Sequence, residues 1–140
     1  MREIKFRGKR ITDGEWLYGY YFVNRGKHFI VTDGLAPAGN TFKDYEIDPM
    51  TIGQYTGIKD ARGADIYDGD IIECISSNHI PIRHFIRFCD ERGYYAQYDN
   101  SNWTGELNEC GPIYQHYIDE CGKYVIGNIH DNPELLKTEK

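Results

Sequence analysis

Hydrophobic and polar positions alternate along the first third of the chain with the period of two that is typical of β-strands. Residues 4–7 alternate apolar and basic side chains, residues 16–23 are densely aromatic, and residues 28–32 are largely apolar. Turn-forming residues at 12–14 and 24–27 separate these segments. The pattern predicts a three-stranded antiparallel meander over the first 32 residues.

A second hairpin is predicted within residues 47–75. Strand-forming residues lie on both sides of segment 59–63, where an aspartate precedes a glycine, Gly63, in the manner of a tight turn. A further turn or bulge is predicted at residues 68–70, around Gly69. Both glycines are expected to adopt positive φ, so this hairpin is predicted to be a stability element.

The rest of the chain gives a less regular pattern. Residues 82–88 place mostly apolar side chains on one parity and mostly basic ones on the other, and residues 94–98 are their predicted hairpin partner. Residues 99–111 are predicted to form a loop or a short irregular helix. Residues 123–129 read as a closing strand, and residues 132–136 begin with the asparagine and proline that favour one helical turn.

These elements predict a mainly β protein. No segment has the spacing of a long amphipathic helix, and strands of five to seven residues favour a small barrel or two packed antiparallel sheets. We favour an SH3-like barrel for residues 50–130, with one short C-terminal helical turn. Residues 1–140 are expected to be a single domain, with a possible N-terminal β lobe at 1–45 packed on a barrel at 46–130. A loop is predicted at residues 34–40.

The charge balance argues against nucleic acid as the main partner. The 140 residues include 16 Lys and Arg against 22 Asp and Glu, a formal net charge of −6 that repels a polyanion. Positive charge is nevertheless concentrated at the N-terminus, in Arg2, Lys5, Arg7, Lys9 and Arg10. These side chains form a local basic patch if they share a face, and otherwise an ordinary solvated strand face.

The sequence predicts a cytosolic protein. No apolar run follows the charged N-terminal residues, and no window approaches the 18 apolar residues of a membrane span. The four cysteines, Cys74, Cys89, Cys110 and Cys121, include no C-x-x-C pair. We therefore expect free thiols, with two disulfides as the alternative.

Candidate catalytic chemistry is sparse. The densest acidic cluster comprises Asp65, Asp68, Asp70 and Glu73, whose oxygens could hold Mg²⁺ or Ca²⁺ or position a water. The simpler interpretation is that the aspartates stabilise a turn. The histidines, at positions 28, 79, 84, 116 and 130, show no spacing that supports a metal site or a nucleophilic pair with a cysteine. We therefore predict no metal, no cofactor and no catalytic residue.

The aromatic content is the main functional indication. Twelve tyrosines, two tryptophans and six phenylalanines exceed what a core of this size needs, and such rings are enriched at protein interfaces. High β-propensity explains part of the excess. The candidate interface residues are Trp16, Tyr18, Tyr20 and Tyr21, and they predict a homo-oligomer. An alternative, base stacking by a barrel that binds single strands, needs basic residues beside aromatic ones and would use Arg83, Phe85, Arg87 and Tyr95.

Several motifs together resemble the YopX family of small proteins carried by bacteriophages and prophages. They are IKFRG, WLYGY, IDPMTIGQYTGIKDARGADIYDGDII and YVIGNIHDNPELL, in that order. The resemblance covers residues 2–22, 46–75 and 123–136, whereas residues 76–122 match no motif. It implies a mainly β, phage-encoded protein of the bacterial cytoplasm without established biochemical activity, and it supplies no catalytic residues.

The sequence therefore leaves two hypotheses for the function. The first is a non-catalytic interaction module that self-associates or binds a phage or host protein. The alternative is a single-stranded nucleic-acid-binding barrel that acts in phage replication or recombination.

Overall fold

The structure is a computed structural model that describes residues 3–32, 42–75, 77–89, 93–98 and 110–136. Its strands are β1 (Phe6–Lys9), β2 (Trp16–Asn24), β3 (Lys27–Thr32), β4 (Gly53–Lys59), β5 (Asp65–Tyr67), β6 (Asp70–Ile75), β7 (Pro81–Cys89), β8 (Gly93–Tyr98), β9 (Cys110–Pro112) and β10 (Tyr124–Asn128). The helical elements are α1 (Gln115–Cys121) and 3₁₀ turns at Phe42–Tyr45, Pro49–Thr51 and Pro133–Leu136.

The strands form two antiparallel sheets, so the predicted mainly β class is confirmed. Their strand orders are β3–β2–β1–β4–β5 and β10–β6–β7–β8–β9. The described strands do not close into the SH3-like barrel favoured for residues 50–130, because β4 pairs with β1 in the first sheet. The alternative of two sheets is the architecture observed. The C-terminal helical turn is confirmed at Pro133–Leu136.

The chain divides into two compact units, Met1–Gly57 and Ile58–Lys140. The first unit contains the predicted meander, in which β1 pairs with β2 and β2 pairs with β3. Its core consists of Leu17, Phe29, Ile30, Tyr45 and Ile47. Within β2, Gly19 approaches β3 so closely that a Cβ atom would overlap the carbonyl oxygen of Val31. This position therefore requires glycine.

The second unit has its own isoleucine-rich core. It consists of Ile66, Ile72, Ile86, Ile113 and Ile118, with Ile58 and Val125 packed against it. Strands β5, β6 and β7 each contribute one of these isoleucines, and α1 contributes another. The helix is thus fixed to the sheet by an apolar contact rather than by a side-chain cap, since its N-cap residue makes no such hydrogen bond.

Asp60 organises the central hairpin. One oxygen of its buried carboxylate accepts hydrogen bonds from the backbone N–H groups of Arg62 and Ala64, each at 2.8 Å. The other oxygen accepts from the Val125 N–H at 2.9 Å, which joins the hairpin to β10. Gly63 has φ 88°, as its place in the turn predicts. The predicted turn is therefore confirmed, and one carboxylate fixes both its shape and its position.

The second predicted turn is confirmed at Gly69, whose φ is 95°. The buried carboxylate of Asp70 accepts a hydrogen bond from the Tyr67 N–H at 2.7 Å across this turn. The Gly69 N–H donates to the Ile86 carbonyl, and the Gly69 carbonyl accepts from the Ile129 N–H. The turn between β5 and β6 is thus held by backbone bonds on two sides.

Two elements of the second unit are not predicted from the sequence, namely β9 and α1. The helix is only seven residues long and ends at Gly122, which has φ 64°. Seven residues are too few to show a clear helical period. The predictions for the loop at 34–40 and for most of segment 99–111 lie outside the described residues. None of the helices in the described ranges has the length and apolar character needed to cross a membrane.

Candidate interaction surface

Pairing of β1 with β2 places a basic row beside an aromatic row. The register sets Arg7 opposite Tyr18 and Lys9 opposite Trp16. Residues directly opposite each other in a sheet point to the same face, and residues two apart along a strand share that face. We call this surface the aromatic–basic face and define it by Lys5, Arg7, Lys9, Trp16, Tyr18 and Tyr20.

The cations of this face lie over aromatic rings. The Arg7 guanidinium carbon is 4.7 Å from the centre of the Trp16 ring, and Lys9 Nζ is 5.4 Å from the same centre. Lys5 Nζ lies 4.7 Å from the centre of the Tyr55 ring and 3.2 Å from a carboxylate oxygen of Glu3. Cation–π contacts of this kind hold the positive groups close to the sheet.

Two tyrosines of this face are exposed to solvent. Tyr18 is 46% exposed and Tyr20 is 64% exposed, whereas the Arg7 beside them is buried. Each exposed ring leaves apolar surface in water, which contact with a partner would bury. The accessible part of the aromatic–basic face is therefore mainly aromatic.

Tyr21, the fourth candidate interface residue, lies on the other face of β2. Its ring packs against Phe6 at a centroid distance of 5.4 Å and stacks on His28 at 5.8 Å. Its hydroxyl is 2.6 Å from His28 Nδ1. The structure therefore brings Trp16, Tyr18 and Tyr20 together and assigns Tyr21 to the core side of the sheet.

The two units differ in charge. Residues 1–57 contain eight Lys and Arg against seven Asp and Glu, and residues 58–140 contain eight against fifteen. The first unit therefore has a formal charge of +1 and the second of −7. The aromatic–basic face belongs to the unit that lacks the net negative charge.

The alternative nucleic-acid residues lie on β7 and β8. Arg83 donates through Nε to Glu73 at 2.8 Å and through a terminal nitrogen to the Leu135 carbonyl at 2.9 Å, so its charge is already paired. Arg87 is exposed and lies 5.7 Å from the centre of the Phe85 ring. The β7–β8 register sets Arg87 opposite Tyr95, whose side chain lies outside the described part. Only one accessible cation is thus described on this face.

The acidic residues considered as a metal cluster each contact other groups. Asp65 forms an ion pair with Lys59 at 2.6 Å, Asp70 accepts from the Tyr67 N–H, and Glu73 pairs with Arg83. Within the described ranges, no group of three or more His, Cys, Asp or Glu side chains is arranged to hold a metal ion.

A buried polar cluster in the second unit is not predicted from the sequence. His84 on β7 and Lys123 before β10 are almost fully buried, and Lys123 Nζ donates to Cys74 Sγ at 3.3 Å. Burial, followed by the charge of Lys123, lowers the pKa of His84 to about 3. The imidazole is therefore neutral at pH 7. Alternation on β7 places His84 on the apolar side of that strand, but no pattern in the sequence indicates its lysine neighbour.

Comparison with known families places these features in context. The family model described as YopX protein matches residues 5–137. The chain belongs to the YopX family. The resemblance stated from motifs is therefore confirmed, and the match extends through residues 76–122, which those motifs do not cover. Among curated proteins no match was found.

A solved structure supports the fold of this YopX-family chain. It is the crystal structure of protein EF1440 from Enterococcus faecalis, which is 24% identical in sequence with a TM-score of 0.56. The alignment covers 98% of the present chain and 100% of the other. At this level of identity the likeness shows a shared fold only.

Proposed function

We propose that this YopX-family protein is a non-catalytic interaction module that self-associates through the aromatic–basic face. The observation that carries the proposal is the exposure of Tyr18 and Tyr20 on one strand. Tyrosine combines a large apolar ring with a hydroxyl that can remain at a polar rim, which is the property that interfaces use.

Charge determines which surface of a second copy fits this face. A symmetric contact would set Lys5 and Lys9 of one copy against the same residues of the other, and like charges at an interface are unfavourable. The second unit, at −7, offers the complementary charge. We therefore favour a heterologous contact, in which the aromatic–basic face of one copy meets the acidic unit of the next, forming a ring or an open chain.

A charge substitution at Tyr20 tests the proposal. Tyr20→Glu adds a carboxylate to a face that is to meet an acidic partner, so we expect light scattering at micromolar concentration to show an oligomer for the parent and a monomer for the variant. Raising the salt concentration should weaken the parent oligomer, because screening reduces attraction between opposite charges.

Val23→Glu is the matched control. Val23 is 51% exposed and lies on the same strand as Tyr20, but it has the parity of Tyr21 and so belongs to the other face of β2. This variant should assemble like the parent. A clean monomer mass for the parent would refute self-association and favour a surface kept for a foreign phage or host protein. Equal effects of the two substitutions would refute the location of the interface.

Single-stranded nucleic acid is the second candidate ligand. It is favoured by one observation, namely that Lys9 Nζ lies 5.4 Å from the centre of the Trp16 ring, since stacking platforms for unpaired bases combine basic and aromatic side chains. A gel-shift assay with single-stranded and double-stranded DNA over a range of salt separates the two candidates. Retention of single strands by the parent, lost in Tyr20→Ala, would favour this ligand.

The proposal includes the setting that the family resemblance implies. We expect the protein to be encoded by a bacteriophage or prophage and to act in the host cytoplasm. Recovery of partners bound to the tagged protein in host cells would test this setting, with Tyr20→Glu as the variant that loses them.

A further inference from the structure

Lys123 and Cys74 form a buried pair across two strands of the second sheet. The register sets Tyr124 of β10 opposite Glu73 of β6, which brings the residue before Tyr124 beside the residue after Glu73. Lys123 is 2% exposed and Cys74 is 8% exposed, and Lys123 Nζ lies 3.3 Å from Cys74 Sγ. The pair lies outside the aromatic–basic face and is independent of the proposed function.

This contact places a primary amine beside an oxidisable sulfur. Lysine is rarely buried, and a lysine directed at a cysteine has a chemical consequence that a lysine paired with a carboxylate lacks. A cysteine oxidised to sulfenic acid becomes an electrophile and condenses with a nearby nitrogen to give a sulfenamide. The long lysine stem can make the short further approach that bond formation needs.

We propose that Cys74 and Lys123 form a covalent sulfur–nitrogen cross-link between β6 and β10 when the protein meets hydrogen peroxide. In the first step the Cys74 sulfur takes one peroxide oxygen, giving sulfenic acid and one water. In the second step the Lys123 ammonium releases one proton, and its nitrogen attacks that sulfur. The S–N bond forms, the S–O bond breaks, and the hydroxyl leaves with an amine proton as a second water.

The electrons balance over these two reaction steps. Sulfur is oxidised by two electrons, and one peroxide is reduced to two waters. A thiol reductant reverses the change by returning Cys74 to its thiol and Lys123 to its amine. Attack by Lys123 is favoured over further oxidation, since its nitrogen lies 3.3 Å from the sulfur and needs no second peroxide. The His84 ring, whose pKa the charge of Lys123 helps to lower, is neutral at pH 7 and so adds no second positive charge near Lys123.

Peptide mapping of the native protein tests the proposal. After mild peroxide treatment, we expect a peptide containing Cys74 joined to one containing Lys123, with the summed mass less two hydrogens. Trypsin should no longer cleave after Lys123, and dithiothreitol should restore cleavage. The cross-link closes a long loop, so the midpoint of thermal unfolding should rise after oxidation.

Two controls keep the result interpretable. The same protein oxidised in urea should give no Cys74–Lys123 product, because unfolding separates the pair. Lys123→Met should also lose the product, while Cys121→Ser, which changes an exposed cysteine, should retain it. If Lys123→Met does not fold, the native and urea samples decide. Recovery of Cys74 as thiol or sulfinic acid with normal cleavage after Lys123, under conditions that oxidise Cys121, would overturn the proposal.

Discussion

The two units differ in where they place some of their aromatic and polar side chains. The first unit leaves Tyr18 and Tyr20 in solvent and keeps an ordinary apolar core on the other side of its sheet. The second unit buries polar groups, including Asp60, His84 and Lys123, beside its isoleucine core. Surface rings suit contact with a partner, whereas buried polar groups that must be satisfied fix one arrangement of turns and strands.

This difference separates binding from stability. Substitutions on the aromatic–basic face should change assembly with little effect on folding, because exposed side chains away from special features contribute little to stability. Substitutions of the buried polar groups should do the reverse. The predictions for Asp60 and His84 test the second half of this comparison, and the prediction for Gly63 tests the turn that Asp60 fixes; they run from the largest expected effect to the smallest.

Asp60→Ala should have the largest effect on folding. It leaves three backbone N–H groups without the carboxylate that accepts their hydrogen bonds, at Arg62, Ala64 and Val125. We expect the free energy of unfolding to fall by about 4 kcal/mol, since hydrogen bonds to charged groups each contribute roughly 1.5 kcal/mol or more. Urea unfolding measures this loss.

Asp65→Asn is the control for charge alone. Asp65 pairs with Lys59, whose side chain is largely exposed, and surface ion pairs contribute about 0.5 kcal/mol. Equal destabilisation by the two substitutions would contradict the role given to the Asp60 hydrogen bonds.

His84 should make stability depend on pH in the mildly acidic range. Its pKa is about 3 in the folded protein, against 6.5 for an unperturbed histidine, so between these limits the unfolded chain binds a proton that the folded chain does not. Stability from this group is therefore complete above pH 6.5 and falls by about 1.4 kcal/mol for each unit that the pH is lowered towards 3. Urea unfolding at pH 7, 6 and 5 measures the slope.

The slope should be reduced in His84→Gln and retained in His116→Gln, since the His116 side chain is exposed. Both variants are compared by the change in the free energy of unfolding with pH and not by its value at one pH, because burying a glutamine at position 84 itself lowers stability. A parent slope unchanged by His84→Gln would show that other groups titrate in this range.

Gly63→Ala should have the smallest of the three effects. The added Cβ meets no atom within 4 Å, so the cost is that of holding an alanine at φ 88°, about 1 kcal/mol. Gly69→Ala, at φ 95°, should show strain of the same kind. Thermal melting measures both, and midpoints within a degree of the parent would contradict the prediction.

Local patterns predicted most of the strands, because the residues that determine a strand or a turn lie close together in the sequence. The hairpin around Gly63 is visible in the sequence, since an aspartate and a glycine at a turn act through bonds only a few residues apart. The closing strand β10 and the turn after Asn132 are predicted for the same reason. The helix α1 is missed because its stability depends on Ile118 entering a distant core, which local periodicity does not reveal.

The candidate surface was predicted in part. Alternation along β2 groups Trp16, Tyr18 and Tyr20, but only the register with β1 shows that Arg7 and Lys9 lie beside them. Parity left open which side of β2 faces the core, and the contacts of Tyr21 with Phe6 and His28 answer this. Long-range pairs such as Lys123 with Cys74 have no local signal at all, because the two residues meet only when β10 joins β6.

The position of β1 bears on how the chain folds as it leaves the ribosome. Its partner on one side, β2, follows within a few residues, but on its other side Phe6 pairs with Gln54, which is synthesised much later. Until that strand emerges, β1 has an open edge that can accept an equivalent strand from a neighbouring nascent chain. The second edge of β1 is therefore exposed until synthesis has passed β4.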